Sequence, residues 1–275
     1  MLAQGLPIPA NREAAERMRR AALQFGATPA ITAIVAGQPS LGLTHDELER
    51  FLARDGIRKV SARDLGAAIL RGWDGATTVA AALTLCREAG VHVFATGGIG
   101  GVHRDSPFDE SADLIELART NAVVVCSGAK SILDLPATLE RLETLGITVA
   151  GFGTEELPGF FTAETGLRVS LRVDSVDEIV QVYDVERRFR RPGALVIAVP
   201  PPAHAALTRS EVDEAVGAAI ADAQRQSISG SALTPFLLSA IDRATNGRSL
   251  SANIALLEEN ASIAARVAVT LAKGT

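Results

Sequence analysis

The sequence predicts an α/β protein built on a parallel or mixed sheet that helices cover on both faces. Short apolar runs of strand length alternate with amphipathic helical patterns along the whole chain. The run Val123–Cys126 contains only apolar residues, which is typical of a strand buried on both faces of a parallel sheet. No internal repeat or linker divides the chain, so we expect a single domain over residues 1–275.

Cap and turn residues mark the expected elements of the first half of the chain. Helices are expected over 11–26 with Asn11 as N-cap, over 44–54 from a capping box at Thr44, over 61–72, and over 77–90 with Thr77 or Thr78 as N-cap. Strands are expected over 30–36 and 91–96, a short extended piece over 59–61, and a turn over 73–76.

The second half of the chain repeats the alternation and then becomes mostly helical. Strands are expected over 123–126, 147–150, 168–173 and 194–199, with a loop over 154–165 that has an apolar tip. Helices are expected over 134–146, 175–189, 210–225, 234–245 and 251–272.

Composition excludes several classes of protein. Hydrophobic residues make up 47% of the chain and charged residues 21%, which is enough apolar material for a core and excludes a disordered chain. A net charge of -5 and an aromatic content of 4% argue against a nucleic-acid surface. No signal peptide or apolar run of membrane-spanning length is present, and Cys86 and Cys126 are expected to be reduced, buried thiols. We therefore expect a cytoplasmic protein.

Lys130 is the first candidate for chemistry. The chain has only three lysines among 27 Lys+Arg, and Lys130 lies in a tight turn after the expected central strand, where a helix is expected to begin. Unlike arginine, lysine becomes a nucleophile once its pKa is lowered by burial, a nearby cation or a helix N-terminus. A lysine that only caps a surface turn is an equally good interpretation of this position.

A glycine-rich segment over 97–101 (GGIGG) follows the expected strand 91–96. Its backbone N–H groups could form an anion-binding nest, with His103 and Arg104 beside it as phosphate ligands. The spacing does not match a dinucleotide-binding fingerprint. A surface turn explains the same residues.

Three carboxylates, Asp109, Glu110 and Asp113, fall within five residues before a helix. Oxygen ligands at this density suit Mg²⁺ or Mn²⁺. Acidic residues also favour helix N-termini for purely structural reasons, and that simpler interpretation is favoured by the residues themselves.

Several segments, in order along the chain, resemble the signature segments of the pseudouridine-5'-phosphate glycosidase family, also called the indigoidine synthase A-like family. They are FATGGIGGVHR, DESAD, VVCSGAKSILD, TPFLL and SLSANIALL. The resemblance implies a three-layer αβα sandwich, a homotrimer, and one Mn²⁺ per subunit. It also implies reversible cleavage of pseudouridine 5'-phosphate to uracil and ribose 5-phosphate through a lysine adduct of the ring-opened sugar.

The resemblance also implies roles for individual residues. Lys130 is the nucleophile that forms the Schiff base, and Asp109 is the metal ligand. The expected substrate contacts are Lys59, Val79, Ser111, Ala112, Asp113 and Asn253.

The sequence departs from the family pattern at two places. The family's proton-donor glutamate precedes the segment that 4–7 (QGLP) matches, so we expect its position to lie upstream of this sequence, through a late start or a truncated protein with a shortened first strand. Val199 replaces the asparagine of the family's NPIP segment. Two alternatives therefore stay open: a non-catalytic phosphosugar-binding paralogue, and another Schiff-base phosphosugar lyase such as an aldolase.

Overall fold

The protein is described here by a computed structural model, which covers residues 2–3, 5–104, 108–228 and 233–274, without the side chain of Thr234. The helices of this described part are α1 (Ala10–Gln24), α2 (His45–Ala53), α3 (Leu65–Leu70), α4 (Val79–Glu88), α5 (Ala112–Arg119), α6 (Leu135–Thr144), α7 (Val176–Arg188), α8 (Arg209–Arg225), α9 (Leu233–Ala244) and α10 (Arg248–Lys273). A 3-10 turn over Ala62–Asp64 precedes α3.

The strands are shorter than the helices. They are β1 (Thr32–Val35), β2 (Gln38–Leu41), β3 (Arg58–Val60), β4 (Gly75–Thr77), β5 (Val93–Ala95), β6 (Val102–His103), β7 (Val123–Cys126), β8 (Leu133–Asp134), β9 (Thr148–Phe152), β10 (Leu171–Val173) and β11 (Leu195–Ala198).

A five-stranded parallel sheet in the order β10-β9-β11-β7-β5 forms the centre of the molecule. All four residues of β7 and of β11 are buried. In β7, Val124 and Cys126 belong to one apolar cluster, whereas Val123 and Val125 belong to another, because successive side chains of a strand point to opposite faces. Both faces of the sheet are therefore covered, and the expected three-layer αβα sandwich is confirmed.

A second, four-stranded sheet in the order β2-β1-β4-β3 was not expected from the sequence. β2 carries Pro39, which pairs with Ile34 at the edge of the sheet, where the missing N–H of proline is tolerated. The predicted turn over 73–76 is wrong in part, because Gly75 and Ala76 already pair with β1. Three-residue strands such as β4 are too short to show an alternating pattern.

Cap residues predicted most helix starts correctly. Thr44, Thr78, Asp134 and Ser175 each accept a backbone N–H of the first helical turn with their side chains. The prediction for Asn11 is wrong: α1 begins at Ala10, and the buried Asn11 side chain donates from Nδ2 to Leu52 O at 2.8 Å.

The two cysteines are free and buried, as predicted. Burial raises the pKa of the Cys126 thiol to about 12 and that of Cys86 to about 11. Across the described ranges, no helix is both long and apolar enough to cross a membrane.

Candidate active site

The loops that follow β5 and β7 run side by side at the carboxyl edge of the central sheet. Backbone hydrogen bonds extend the parallel ladder beyond the strands, from Ser127 N to Gly97 O (2.8 Å), Ile99 N to Gly128 O (3.1 Å) and Lys130 N to Ile99 O (3.2 Å). Ligands of open α/β sheets bind at this edge. The paired loops therefore form the floor of a candidate active site.

Gly128 makes the tight turn of the loop that follows β7 possible. Its φ is +78°, and a Cβ atom built on it would lie 2.1 Å from Pro158 O, so no larger residue fits without movement of the backbone. Pro158 belongs to the segment with the predicted apolar tip, whose Phe160 donates its N–H to Ser127 O at 3.0 Å. The tip is not a surface feature, because Phe160 and Phe161 are fully buried.

Asn260 joins the two loops from α10. Its Nδ2 lies 2.9 Å from Thr96 O and 3.1 Å from Ser127 Oγ, and its side chain is completely buried. Sequence reasoning missed this residue, because a single asparagine inside a helical pattern carries no signal of partners more than 130 positions away. Its side chain connects α10 to the residues that directly follow β5 and β7.

Lys130 is half-buried in the second loop. Burial lowers the pKa of its amine, the positive charge of Lys59 lowers it further, and the carboxylate of Asp113 opposes the shift. The surface-turn interpretation is therefore not supported. No helix follows Lys130 directly, contrary to expectation: the chain stays extended beside the first loop and through β8, and α6 begins at Leu135.

Asp113 connects three parts of the site. Its Oδ1 accepts the N–H of Ala80 in the first turn of α4 at 2.8 Å, and its Oδ2 accepts the N–H of Gly100 at 2.8 Å. Asp113 is 5% exposed, so this carboxylate is buried and compensated mainly by backbone donors. It holds the glycine-rich loop against the N-terminus of α4, and its negative charge acts on Lys130.

The N-termini of α4 and α5 meet at this carboxylate. Ser111 is the N-cap of α5, accepting the N–H of Asp113 with its Oγ at 3.2 Å and donating its own N–H to Gly101 O at 2.9 Å. Val79 is the first residue of α4, directly before Ala80. The structure thus brings Val79, Ser111 and Asp113 together, whereas the neighbouring Ala112 is exposed.

Lys59 reaches the site from the four-stranded sheet. It lies on β3 opposite Ala76 and is exposed. The hydrogen bond from Thr78 N to Val60 O (2.9 Å) ties β3 to the start of α4. The charge effect of Lys59 on the pKa of Lys130 places the two lysines in the same electrostatic neighbourhood.

The three predicted carboxylates do not converge. Asp113 binds backbone N–H groups, Glu110 forms an ion pair with Arg141 at 2.8 Å, and Asp109 is exposed. No group of three or more His, Cys, Asp or Glu side chains suited to a metal comes together in the described part of the chain. The exposed carboxylate of Asp109 is an oxygen donor of the kind that Mg²⁺ and Mn²⁺ prefer.

The predicted anion nest is only partly available. Ile99 donates its N–H to Gly128 O, and Gly100 donates to Asp113, so these two groups already have acceptors. The guanidinium of Arg104 also donates to backbone carbonyls within the protein. Its Nε lies 3.0 Å from Leu133 O and its Nη2 lies 3.3 Å from Ser131 O. Its guanidinium holds the chain that follows Lys130.

Asn253 lines a cavity of about 220 Å³ together with Phe161 and Arg54. A larger cavity of about 460 Å³ is lined by Arg104 and by Ser131, Asp134 and Leu135 of the segment that follows Lys130. The hydroxyl of Ser131 is buried without a hydrogen-bond partner among the described residues.

The similarity to known proteins extends over nearly the whole chain. Over residues 1–270 the sequence matches the family described as "Indigoidine synthase A like protein". It is 59% identical over 275 residues to a pseudouridine-5'-phosphate glycosidase of Gemmatimonas aurantiaca, covering 100% of this chain and 90% of that protein. A pseudouridine-5'-phosphate glycosidase of Herpetosiphon aurantiacus is 48% identical, with 98% and 90% covered.

Two solved structures share the fold. An indigoidine synthase A-like protein from Thermotoga maritima superposes with a TM-score of 0.91 at 37% identity, covering 98% of this chain and 90% of that one. The prealnumycin C-glycosynthase AlnA, crystallised in complex with ribulose 5-phosphate, gives a TM-score of 0.90 at 36% identity, with 95% and 87% covered. On its sequence and its fold, this chain belongs to the indigoidine synthase A-like family.

Proposed function

We propose that the protein is a C-glycosidase that reversibly cleaves pseudouridine 5'-phosphate to uracil and ribose 5-phosphate. The observation that carries this proposal is the half-buried Lys130, whose amine has a lowered pKa at the carboxyl edge of the sheet. A neutral amine is the group that a lysine adduct requires. The relatives named above and the sugar phosphate bound to AlnA support a phosphosugar substrate.

The chemistry explains why an amine is useful. Opening of the ribose ring leaves C1' electrophilic, and the neutral Nζ of Lys130 forms a bond to it. A proton added to uracil C5 is bonded through the π electrons of the C5=C6 double bond, which leaves the ring electron-deficient. The nitrogen lone pair then forms the C=N bond while the C1'–C5 bond breaks, and the electron pair of the broken bond restores the C5=C6 double bond of uracil. Water then hydrolyses the iminium, which releases ribose 5-phosphate and restores the lysine. Covalent catalysis thereby replaces one difficult bond cleavage by easier steps.

The surrounding residues act through charge and position. Lys59 lowers the pKa of Lys130 and, being exposed, is available to the substrate phosphate. Ser111 and Asp113 place the first turn of α5 beside the glycine-rich loop, and Val79 begins α4, next to the Asp113 carboxylate that accepts the N–H of Ala80. We assign substrate contacts to Lys59, Val79, Ser111, Ala112 and Asp113.

Three finer features complete the proposal. Asp109 would hold one Mn²⁺ per subunit through a single carboxylate, with water as the remaining ligands, and a bound ion would add positive charge next to the sugar phosphate. We propose a homotrimer, which mass photometry at nanomolar to micromolar concentration tests. The buried, unpaired cysteines support a reducing compartment, and we place the protein in the cytoplasm.

Uracil release from pseudouridine 5'-phosphate tests the function. The wild type with Mn²⁺ is expected to release uracil and ribose 5-phosphate in equal amounts, and Lys130→Met is expected to release neither. Lys273→Met, which removes an exposed lysine near the end of α10, is the matched control and is expected to behave like the wild type. A wild type that releases no uracil, or a Lys130→Met variant with full activity, would contradict the proposal.

A further inference from the structure

Asn260 is a buried amide in the middle of α10 to which the proposed chemistry gives no role. It lies two turns of the helix beyond Asn253, for which the family resemblance implies a substrate contact, but Asn260 is itself completely buried. Its hydrogen bonds in the described structure go to the residues that directly follow β5 and β7. Any effect of Asn260 on the reaction therefore passes through those residues.

The two ends of the Asn260 amide have different partners, which fixes its orientation. Nδ2 carries two N–H groups: one donates to Thr96 O at 2.9 Å and the other to Ser127 Oγ at 3.1 Å. The hydroxyl of Ser127 donates in turn to Oδ1 of Asn260 at 3.4 Å. A rotated amide would place Oδ1 against the carbonyl oxygen of Thr96, and two acceptors would then face each other. One side chain in one orientation therefore holds the starts of both loops.

Ser127 forms a hydrogen bond with each of its polar groups. Its N–H donates to Gly97 O at 2.8 Å, its carbonyl oxygen accepts from Phe160 N at 3.0 Å, and its hydroxyl binds Asn260. Ser127 is completely buried, so water does not compete for these bonds. Ser127 is therefore a fixed point of the backbone, and it lies three residues before Lys130.

This fixed point determines how the loop that follows β7 lies beside the glycine-rich loop. The ladder between the two loops continues to the hydrogen bond from Lys130 N to Ile99 O at 3.2 Å. The next residue of the glycine-rich loop, Gly100, donates its N–H to Asp113. Asn260 and Asp113 therefore hold the two ends of one ladder, to which the backbone of Lys130 belongs.

We propose that Asn260 is a positioning residue for the nucleophile: through Thr96 and Ser127 it sets the place of the Lys130 amine relative to the sugar. The role of that amine as the nucleophile rests on the proposed function. Reacting atoms must lie about 3–3.5 Å apart, and a displacement of about 1 Å can lower the rate about 10²-fold. Loss of Asn260 is therefore expected to slow the chemical step far more than it weakens substrate binding.

Single-turnover kinetics of uracil release, with the enzyme in excess, tests the effect on the chemical step. In Asn260→Ala the maximal rate constant is expected to fall about tenfold or more, while the enzyme concentration that gives half of it changes less than about twofold. Ser127→Ala keeps the bond from Asn260 to Thr96 O and is expected to lose less. The double variant is expected to be no slower than Asn260→Ala, because both changes remove the same contact.

Ile263→Val is the matched control on the same helix. Ile263 is 1% exposed and belongs to the apolar cluster that contains Val123 and Val125 of β7. Its truncation is expected to lower the melting temperature and to leave the single-turnover rate constant unchanged. The control thus separates a loss of stability in α10 from a loss of positioning.

Selective ¹³C labelling of lysine gives a second readout that does not depend on turnover. The chain has three lysines, so the Cε–Hε spectrum contains three signals, which Lys130→Met and Lys273→Met assign. Burial lowers the pKa of Lys130, so a displaced and more exposed amine in Asn260→Ala is expected to titrate at higher pH. The signal of Lys273 in that variant, and all three signals in Ile263→Val, are expected to titrate as in the wild type.

Three results would overturn the proposal: a wild-type rate constant in Asn260→Ala, an equal loss of rate in Ile263→Val, or an unchanged titration of Lys130 in Asn260→Ala. Failure of the proposed function looks different, because the wild type would then release no uracil while the titration of Lys130 would still respond to Asn260→Ala.

Discussion

The Oδ2 atom of Asp113 lies 2.8 Å from the backbone N of Gly100, and a Cβ atom added to Gly100 would lie 2.8 Å from that same oxygen and 2.2 Å from Ser111 Oγ. The glycine is therefore required for the close approach of the loop to the first turn of α5. Through this contact one buried carboxylate fixes the glycine-rich loop and also acts on Lys130.

Asp113→Asn tests that carboxylate. The amide keeps the shape but has one acceptor oxygen for two backbone donors, and its NH₂ group faces one of them. We expect a loss of about 1.5–3 kcal/mol in the free energy of unfolding, measured by urea denaturation. The control Glu110→Gln removes a partly exposed ion pair with Arg141 and is expected to cost ~0–1 kcal/mol. Equal losses in both variants would contradict the role of Asp113.

Gly100→Ala tests the close approach. Because the added methyl group meets Ser111 Oγ and the Asp113 carboxylate, we expect a loss of about 1–3 kcal/mol in the free energy of unfolding together with lower activity. Gly217→Ala is the matched control: it lies inside α8 with open space around it, and it is expected to stabilise by up to ~1 kcal/mol. A Gly100→Ala variant as stable and active as the wild type would show that the loop tolerates a side chain.

Lys59→Met tests the charge effect between the two lysines. The cation of Lys59 lowers the pKa of Lys130, so its removal raises that pKa and reduces the neutral fraction of the nucleophile near neutral pH. The rising limb of kcat against pH is therefore expected to move to higher pH, with an unchanged plateau. Saturating substrate excludes any effect of weaker phosphate binding, and Lys273→Met serves as the control. A limb that stays in place or moves to lower pH would contradict the electrostatic role.

Lys130→Met tests the lowered pKa through stability. The pKa of Lys130 is lower in the folded protein than its ordinary value of 10.5, so the unfolded chain binds the proton more tightly. The wild type is therefore destabilised below the folded pKa, and its stability rises as pH increases towards 10.5. We expect Lys130→Met to be more stable than the wild type at neutral pH, with a difference that shrinks at high pH. A difference independent of pH would mean that packing alone is responsible.

Local signals in the sequence predicted much of the fold. Capping residues such as Thr44 and Asp134 act within one helical turn, and the buried run Val123–Cys126 depends on its own composition, so both are readable from neighbouring residues. The strand β2 was missed because Pro39 lowers its strand propensity, and only its place at a sheet edge makes it acceptable. The prediction of Asn11 as a helix N-cap was wrong because its side chain forms a hydrogen bond with Leu52 O, 41 residues away along the chain.

In the site, too, some residues could be predicted from the sequence and others could not. The resemblance predicted Lys130, Lys59 and Asp113, and the structure brings these three into one electrostatic neighbourhood. The contribution of Asn260 could not be predicted, because it depends on contacts that only the folded chain defines. The metal role of Asp109 stays a prediction.

Borohydride trapping tests the central claim most directly. The protein is incubated with ribose 5-phosphate, reduced with sodium borohydride, and analysed by intact mass and peptide mapping. The account predicts one stable adduct per chain on the peptide that contains Lys130, no adduct in Lys130→Met, and a normal yield in Lys273→Met. An unmodified wild-type chain, or an adduct on Lys59 or Lys273 instead, would contradict the assignment of Lys130 as the nucleophile.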